Sequence, residues 1–162
     1  MSSLAGKYLT FLLGRESYGV PVIRVREIIR FTAPTPLPQL PPHVKGVINL
    51  RGKVIPVVDL RCKFELPAGV SGDLVCIIVV QTTAASGGRK DMGMIVDGVE
   101  EVVQITGQEI EEAPDFGAGL DTNYILGMAK IRGTVKTLLD IDQILTADAA
   151  ATIALAPTNP AI

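Results

Sequence analysis

The chain has 162 residues and a mass of 17.2 kDa, enough for one domain or two small barrels sharing a core. Hydrophobic residues make up 48% and charged residues 20%, so disorder of the whole is excluded. Fifteen basic and seventeen acidic residues leave a net charge of −2, and no stretch clusters Lys and Arg with interleaved aromatics, so a nucleic-acid footprint is missing.

Seventeen Val, sixteen Ile and twelve Thr against only 4% aromatics favour β-sheet with an aliphatic core. Sixteen Gly and eleven Pro demand many turns. The longest apolar runs, such as Ile77-Ile78-Val79-Val80, have the length of a strand, not of a bilayer span, and direct membrane insertion is not expected. Residues 1–7 carry no basic start followed by a long apolar region, so no signal peptide is read there and a soluble cytoplasmic protein is expected.

In chain order, Lys7 to Gly14 reads as a first strand closed by a turn over Gly14-Arg15-Glu16-Ser17, and Tyr18 to Val22 returns as a short strand. Ile23 to Arg30 reads as one helical turn running into a strand. Residues 33–42 hold five prolines, each lacking a donor, and are expected to be an extended connector. Gly46 to Leu60 reads as a hairpin turning at Arg51-Gly52, where Gly supplies positive φ. A short helix is expected over residues 61–66, then a strand from Leu74 to Gln81 buried on both faces. Residues 84–90 read as an exposed loop, Met92 to Ile105 as strand and turn, and 107–121 as an acidic excursion. Tyr124 to Leu139 closes as another hairpin, residues 141–145 as a short helix, and 147–162 as a flexible tail.

An internal echo organises these elements. Residues 18–30 align with 92–104 through a shared G-x-x-V-x-x-V-x-E pattern followed by two β-branched residues. Residues 46–60 align with 127–141, sharing Gly46/Gly127, Arg51/Arg132, Gly52/Gly133, Val54/Val135 and Asp59/Asp140. Two similar β units in tandem are the economical reading. The expected organisation is one domain over 1–146, with units of about 7–67 and 72–146 whose strands are open to exchange.

The inventory for chemistry is poor. His43, the single histidine, has no Cys, Asp or Glu at ligand or triad spacing, and no serine sits in a nucleophile motif. Gly87-Gly88-Arg89-Lys90 lacks the outer glycine and the ending of a phosphate loop, and the acids at 109–115 do not follow a calcium-loop pattern. Cys62 and Cys76 lack metal spacing and read as buried free thiols. No enzyme, cofactor or metal is expected. Glu27 and Arg51 would form a bidentate pair if the sheet brings them together, and Glu101 with Arg132 repeats that pair in the second unit. Repetition argues for architecture, so a binding role would have to come from what surrounds only one copy.

The stretch Gly46-Val47-Ile48-Asn49-Leu50-Arg51-Gly52-Lys53-Val54-Ile55-Pro56-Val57-Val58-Asp59-Leu60-Arg61 resembles the signature of the CheW family of bacterial chemotaxis adaptors. Tyr18-Gly19-Val20, Val25 to Ile29 and Val96 to Val99 fall in the family's order around it, from about Lys7 to Leu145. The resemblance implies a mainly β fold, two SH3-like five-stranded β-barrels packed over a shared apolar core with short helices. It implies a non-catalytic scaffold that couples chemoreceptors (methyl-accepting chemotaxis proteins) to the histidine kinase CheA. Such a protein is cytoplasmic and is recruited to receptor arrays at the inner face of the membrane.

Carried over by position, the receptor-binding groove would comprise Val25, Glu27, Ile28, Gly46 and Arg51, with Val99 and Val102 on its other wall. The regulatory domain of CheA would contact the turns of both hairpins, without named residues. Lys136 and Thr137 depart from the apolar residues expected opposite Ile55 and Pro56, and Met92, Met94 and Met128 replace aliphatics. The alternatives are a paralogous adaptor of a non-flagellar chemosensory pathway and a small-barrel module for nucleic acid or peptide.

Overall fold

The computed structural model describes residues 5–64, 74–83, 88–111 and 124–145. β1 (Gly6–Leu13) and β2 (Glu16–Pro21) form a hairpin, a 3-10 turn at Val22–Arg24 leads into β3 (Val25–Arg30), and β4 (Val44–Leu50) pairs with β5 (Lys53–Asp59) before α1 (Leu60–Lys63). The second half repeats the order: β6 (Cys76–Thr83), β7 (Arg89–Val96), β8 (Gly98–Ile105), a 3-10 turn at Gly107–Glu109, the two-residue β9 (Ile110–Glu111), β10 (Ile125–Ile131), β11 (Thr134–Leu139) and α2 over residues 141–145.

The two sheets cut across the two halves of the chain. One runs β8-β1-β2-β11-β10-β9 and the other β3-β6-β7-β5-β4. The β1–β2 hairpin of the first unit therefore sits in the sheet of the second, and the β6–β7 hairpin of the second sits in the sheet of the first. Neither list closes by strand pairing among the described residues, so the architecture is two curved sheets consistent with SH3-like barrels, one with six strands where five were expected.

Three apolar clusters follow from this exchange. A large one lies between the sheets and includes Phe11 and Val20 from one and Ile78, Val80, Met92 and Met94 from the other. Tyr8, Val103, Ile105 and Leu138 pack in a cluster of the six-stranded sheet, and Ile55, Val57, Ile77 and Val79 in one of the five-stranded sheet. The expected two-faced burial of β6 has this cause: Ile78 and Val80 face the shared cluster while Ile77 and Val79 face the second one. Met92 and Met94 are fully buried, where unbranched side chains fill the shared core.

The junction between exchanged pieces is parallel and tight. β2 meets β11 through Thr137↔Tyr18 and Leu138↔Gly19, and β7 meets β5 through Val57↔Gly93 and its neighbours. Gly19 and Gly93 are repeat equivalents. A Cβ on Gly93 would lie 2.8 Å from Ile77 Cγ2, and one on Gly19 would lie 3.1 Å from Leu138 Cδ2. The glycine of the shared motif is thus a close-approach residue.

Both helices are capped alike. Asp59 Oδ1 accepts from Arg61 N at 3.0 Å, and Asp140 Oδ1 accepts from Gln143 N at 3.3 Å. The helices are then clipped to the opposite unit by charges of reversed sign. Asp142 on α2 takes a two-pronged pair from Arg24 at 3.0 and 2.7 Å and also accepts from Thr83 N at 2.9 Å. Arg61 on α1 meets Asp97, just ahead of β8, at 2.8 Å. In the repeat alignment the own-unit counterparts of Asp97 and Arg24 are Ile23 and Gly98, so neither clip is available to a helix that closes on its own unit.

Several expectations shift. Glu16 and Ser17 belong to β2, not the turn, because the side chain of Ser17 is engaged in the interior. Lys136 is only 5% exposed: its Nζ donates to Ser17 Oγ at 2.9 Å and lies 3.4 Å from Glu100 Oε1, which is how a lysine sits where its repeat equivalent is the buried Ile55. Arg89 and Lys90 extend β7 by pairing with Thr83 and Thr82, whereas β6 starts at Cys76 and leaves Leu74 exposed. Cys62 and Cys76 are free but half-buried instead of buried. The helix expected over 61–66 is Leu60–Lys63, residues 65 and 66 lying outside the described residues together with 84–87, 112–121 and the tail from 147.

Replacing Asp142 by Arg should lower stability by about 1.5–3 kcal/mol, the range for hydrogen bonds to a charged group. Adding Arg24→Asp should restore part of that loss in a urea denaturation series. A double variant no more stable than the single one would contradict the clip.

Candidate functional site

Among the described residues no group of three or more His, Cys, Asp or Glu could hold a metal ion. His43 is half-buried with its carbonyl accepting from Asp59 N at 2.8 Å, a backbone role repeated by Tyr124 and Asp140. Burial pushes the Cys76 thiol upward, which makes it a weak nucleophile at neutral pH. The distinctive surface lies instead on the two edge strands, β3 and β8.

Each edge strand carries a bulge at the same point of the repeat. The register slips between Val25 and Glu27 on β3, leaving Arg26 extra, and between Val99 and Glu101 on β8, leaving Glu100 extra. On β8 the disrupted ladder is repaired by Thr10, whose Oγ1 donates to Glu101 O at 3.1 Å and accepts from Glu101 N at 3.3 Å. The glutamate after each bulge meets an arginine delivered by a hairpin turn across the same sheet.

Arg51 and Arg132 occupy the first corner of equivalent hairpin turns, with φ of 51° and 50°, followed by Gly52 and Gly133 at 84° and 80°. Two successive positive φ values define a type I′ turn, whose twist suits a hairpin, and arginine is uncommon at its first corner, where Asn, Asp or Gly is usual. In the first unit Asn49 Oδ1 accepts from Gly52 N at 2.8 Å and supports the turn. Arg51 then forms a two-pronged pair with Glu27, Nη1 donating to Oε1 at 3.0 Å and Nη2 to Oε2. Arg132 Nη2 pairs with Glu101 Oε2 in the second unit. Since β3 and β4 are opposite ends of the five-stranded sheet, the Glu27–Arg51 pair closes by charge what strand pairing leaves open, and Glu101–Arg132 reaches across the other sheet from β8 to the β10–β11 turn, short of the end strand β9.

The pairs are asymmetric in exposure. Arg51 is 73% exposed and Glu27 25%, Arg132 68% and Glu101 40%, so each pair shows its guanidinium outward with the carboxylate behind it. The Arg51 hydrogen bonds hold the Glu27 carboxyl below the ordinary carboxylate range, and Glu27 in turn pushes the Arg51 guanidinium up.

The remaining expected site residues divide into three kinds. Val25 and Val99 are half-buried and pack against the cluster between the sheets. Ile28 and Val102, again repeat equivalents, are exposed large hydrophobics on the edge strands. Gly46 is buried with φ of 136°, and a Cβ there would lie 2.0 Å from Thr35 O. The 33–42 connector crosses it, Thr35 N donating to Val47 O at 2.8 Å and Val47 N to Thr35 O at 3.0 Å. That bridge matches the pairing of Glu111 with Met128 between β9 and β10, so the proline-rich segment is a reduced copy of β9. Gly46 thus acts through the connector it lets in, and a side chain there would displace backbone.

Sequence reasoning missed Val54 and Val135, which follow the two turns and are both exposed, and Ile23, whose side chain stands almost free beside an apolar recess of about 480 Å³ lined also by Tyr8, Pro21, Val22 and Leu126. The echo named Val54/Val135 as a shared position, but only strand geometry reveals that both face solvent.

The residues from 7 to 149 match the family model described as CheW-like domain. The chain is 35% identical to the chemotaxis protein CheW of Klebsiella aerogenes over 153 residues, covering 91% of this chain and 89% of that protein. It is 29% identical to the chemotaxis protein CheW of Rhizobium meliloti, covering 86% and 87%. Among solved structures it is similar to the scaffolding protein TtCheW of Thermoanaerobacter tengcongensis, with a TM-score of 0.76, 30% identity, and coverage of 88% of this chain and 93% of that one.

Because its folded carboxyl value is depressed, Glu27 contributes stability that is present above the unfolded value and is lost as pH falls through the folded one. In a side-chain carboxyl NMR titration Glu27 should protonate below an ordinary glutamate, and Arg51→Ala should return it toward the ordinary range. Equal midpoints in the two proteins would contradict the pair.

Proposed function

Because the chain belongs to the CheW family of chemotaxis coupling proteins, we propose that it joins the cytoplasmic tip of chemoreceptors to the regulatory domain of the histidine kinase CheA, as a scaffold that performs no chemistry itself. The reading is carried by one observation: a closed Glu27–Arg51 pair stands beside the exposed Ile28 on a strand that, among the described residues, is a sheet edge. A receptor tip is a helical hairpin, and its docking needs aliphatic contact with a charged rim. Val25, Glu27, Ile28 and Arg51 supply one wall, Val99 and Val102 supply the other, and Gly46 admits the connector that supports the first wall.

Half-buried Val25 and Val99 both rest on the inter-sheet core, which supports a rigid floor for that groove. The kinase domain is assigned a separate surface, without named residues, so one adaptor would bridge two partners. No helix among the described residues is long and apolar enough to cross a membrane, in keeping with a cytoplasmic protein held at arrays through its receptor.

A co-sedimentation assay with a receptor signalling fragment and CheA tests the proposal. Ile28→Asp and Arg51→Ala should each weaken receptor binding by about tenfold or more, as expected for a buried anchor and a charged hydrogen-bonding partner, while leaving the fold intact. Wild-type protein that recruits neither partner would sink the reading. Gly46→Ala is the wrong probe, since its effect would pass through the connector.

A further inference from the structure

We propose that Arg132 is a second recognition residue of the same docking surface, each of the two arginines meeting a carboxylate on a different helix of an antiparallel helical partner; the inference rests on the receptor-docking reading above. Repetition of the pair in the sequence points to architecture, with a binding role expected only from surroundings present once. The surroundings are repeated too. Glu27–Arg51 is flanked by exposed Ile28 and Val54, and Glu101–Arg132 by exposed Val102 and Val135. Bulge, positive-φ arginine, outward guanidinium and flanking aliphatics are common to both copies.

The exchange of hairpins is reciprocal, so the operation that carries the first unit onto the second carries the second back onto the first. That is the property of a two-fold axis. A surface with two-fold-related clamps is complementary to a partner with the same symmetry, and two antiparallel helices have it. The outward charge at each clamp is positive, its own glutamate lying partly covered behind it, so the complementary group is an acidic side chain accepting from the guanidinium. A surface with one functional clamp would instead favour a single helix.

The test uses the full chain and a purified dimeric signalling fragment of a chemoreceptor, with affinity followed by fluorescence anisotropy at several salt concentrations. Arg132→Gln removes the charge without placing a second carboxylate against Glu101. It should weaken binding about tenfold, flatten the salt dependence, and leave the melting temperature within about 2 °C of wild type, as for an exposed turn residue. Arg132→Lys should restore part of the affinity. If Arg132→Gln binds like wild type while Arg51→Gln is weakened, the inference fails and the docking reading stands. If neither variant changes affinity, both fail. A loss in Arg132→Gln that follows a fallen melting temperature would assign Arg132 to the fold alone and overturn the inference.

Discussion

The constraint on which the rest depends is that neither half of this chain completes its own sheet. The β1–β2 hairpin is finished by β8 and β11, and β6–β7 by β3 and β5, so each unit is a template for the other. The shared apolar cluster exists because both exchanged hairpins turn one face toward it. Separating the halves would expose that cluster and leave both sheets without their central strands, which makes the molecule one cooperative body despite its two-part sequence.

Exchange in a repeated sequence raises a specificity problem, because locally similar strands compete for the same neighbours. The structure answers with features that differ between otherwise equivalent places. The helix clips reverse sign, Arg24–Asp142 against Asp97–Arg61, and their own-unit counterparts Gly98 and Ile23 carry no charge, so the alternative closure loses both pairs. The Ser17–Glu100–Lys136 set occupies one sheet only, where the other has Ile55. An apolar site cannot accept the lysine without stranding a buried charge, so this set also distinguishes the two sheets. By contrast, the features that repeat unchanged, the close-approach glycines and the capping aspartates, are those that backbone geometry demands wherever the unit is built.

What was legible in the sequence follows the same division. The Arg-Gly turns, the Glu–Arg pairs and the helical turn into β3 are local or repeat twice, which makes them visible, whereas Asp59 and Asp140 are visible as a shared position but not as helix caps. The exchange itself was open in the sequence, because β2 and β7 share one motif and nothing local tells which sheet takes which strand. Lys136 was read as a misfit among apolar positions; its partner Ser17 lies 119 residues away and had been placed in a turn. The 33–42 connector was recognised as extended, but not as the counterpart of β9, since prolines hide a strand whose remaining pairing is a single bridge. Burial of Gly46 likewise depends on a segment that crosses it from ten residues upstream, and only coordinates show that crossing.

The proposed docking surface is assembled from ion pairs that span the sheets, and this has a physical consequence. In each pair the arginine is more exposed than its glutamate, so its orientation is held by the carboxylate behind it in the free protein. Bulges place those carboxylates, the positive-φ turns aim the guanidinia, and the inter-sheet core fixes the floor through Val25 and Val99. Little conformational freedom remains to be lost on docking, which is the condition under which a modest aliphatic and charged surface can bind with useful affinity. For the scaffold proposed above, preorganisation of this kind is the chemistry it has: the same contacts that complete the fold would hold its recognition groups in place.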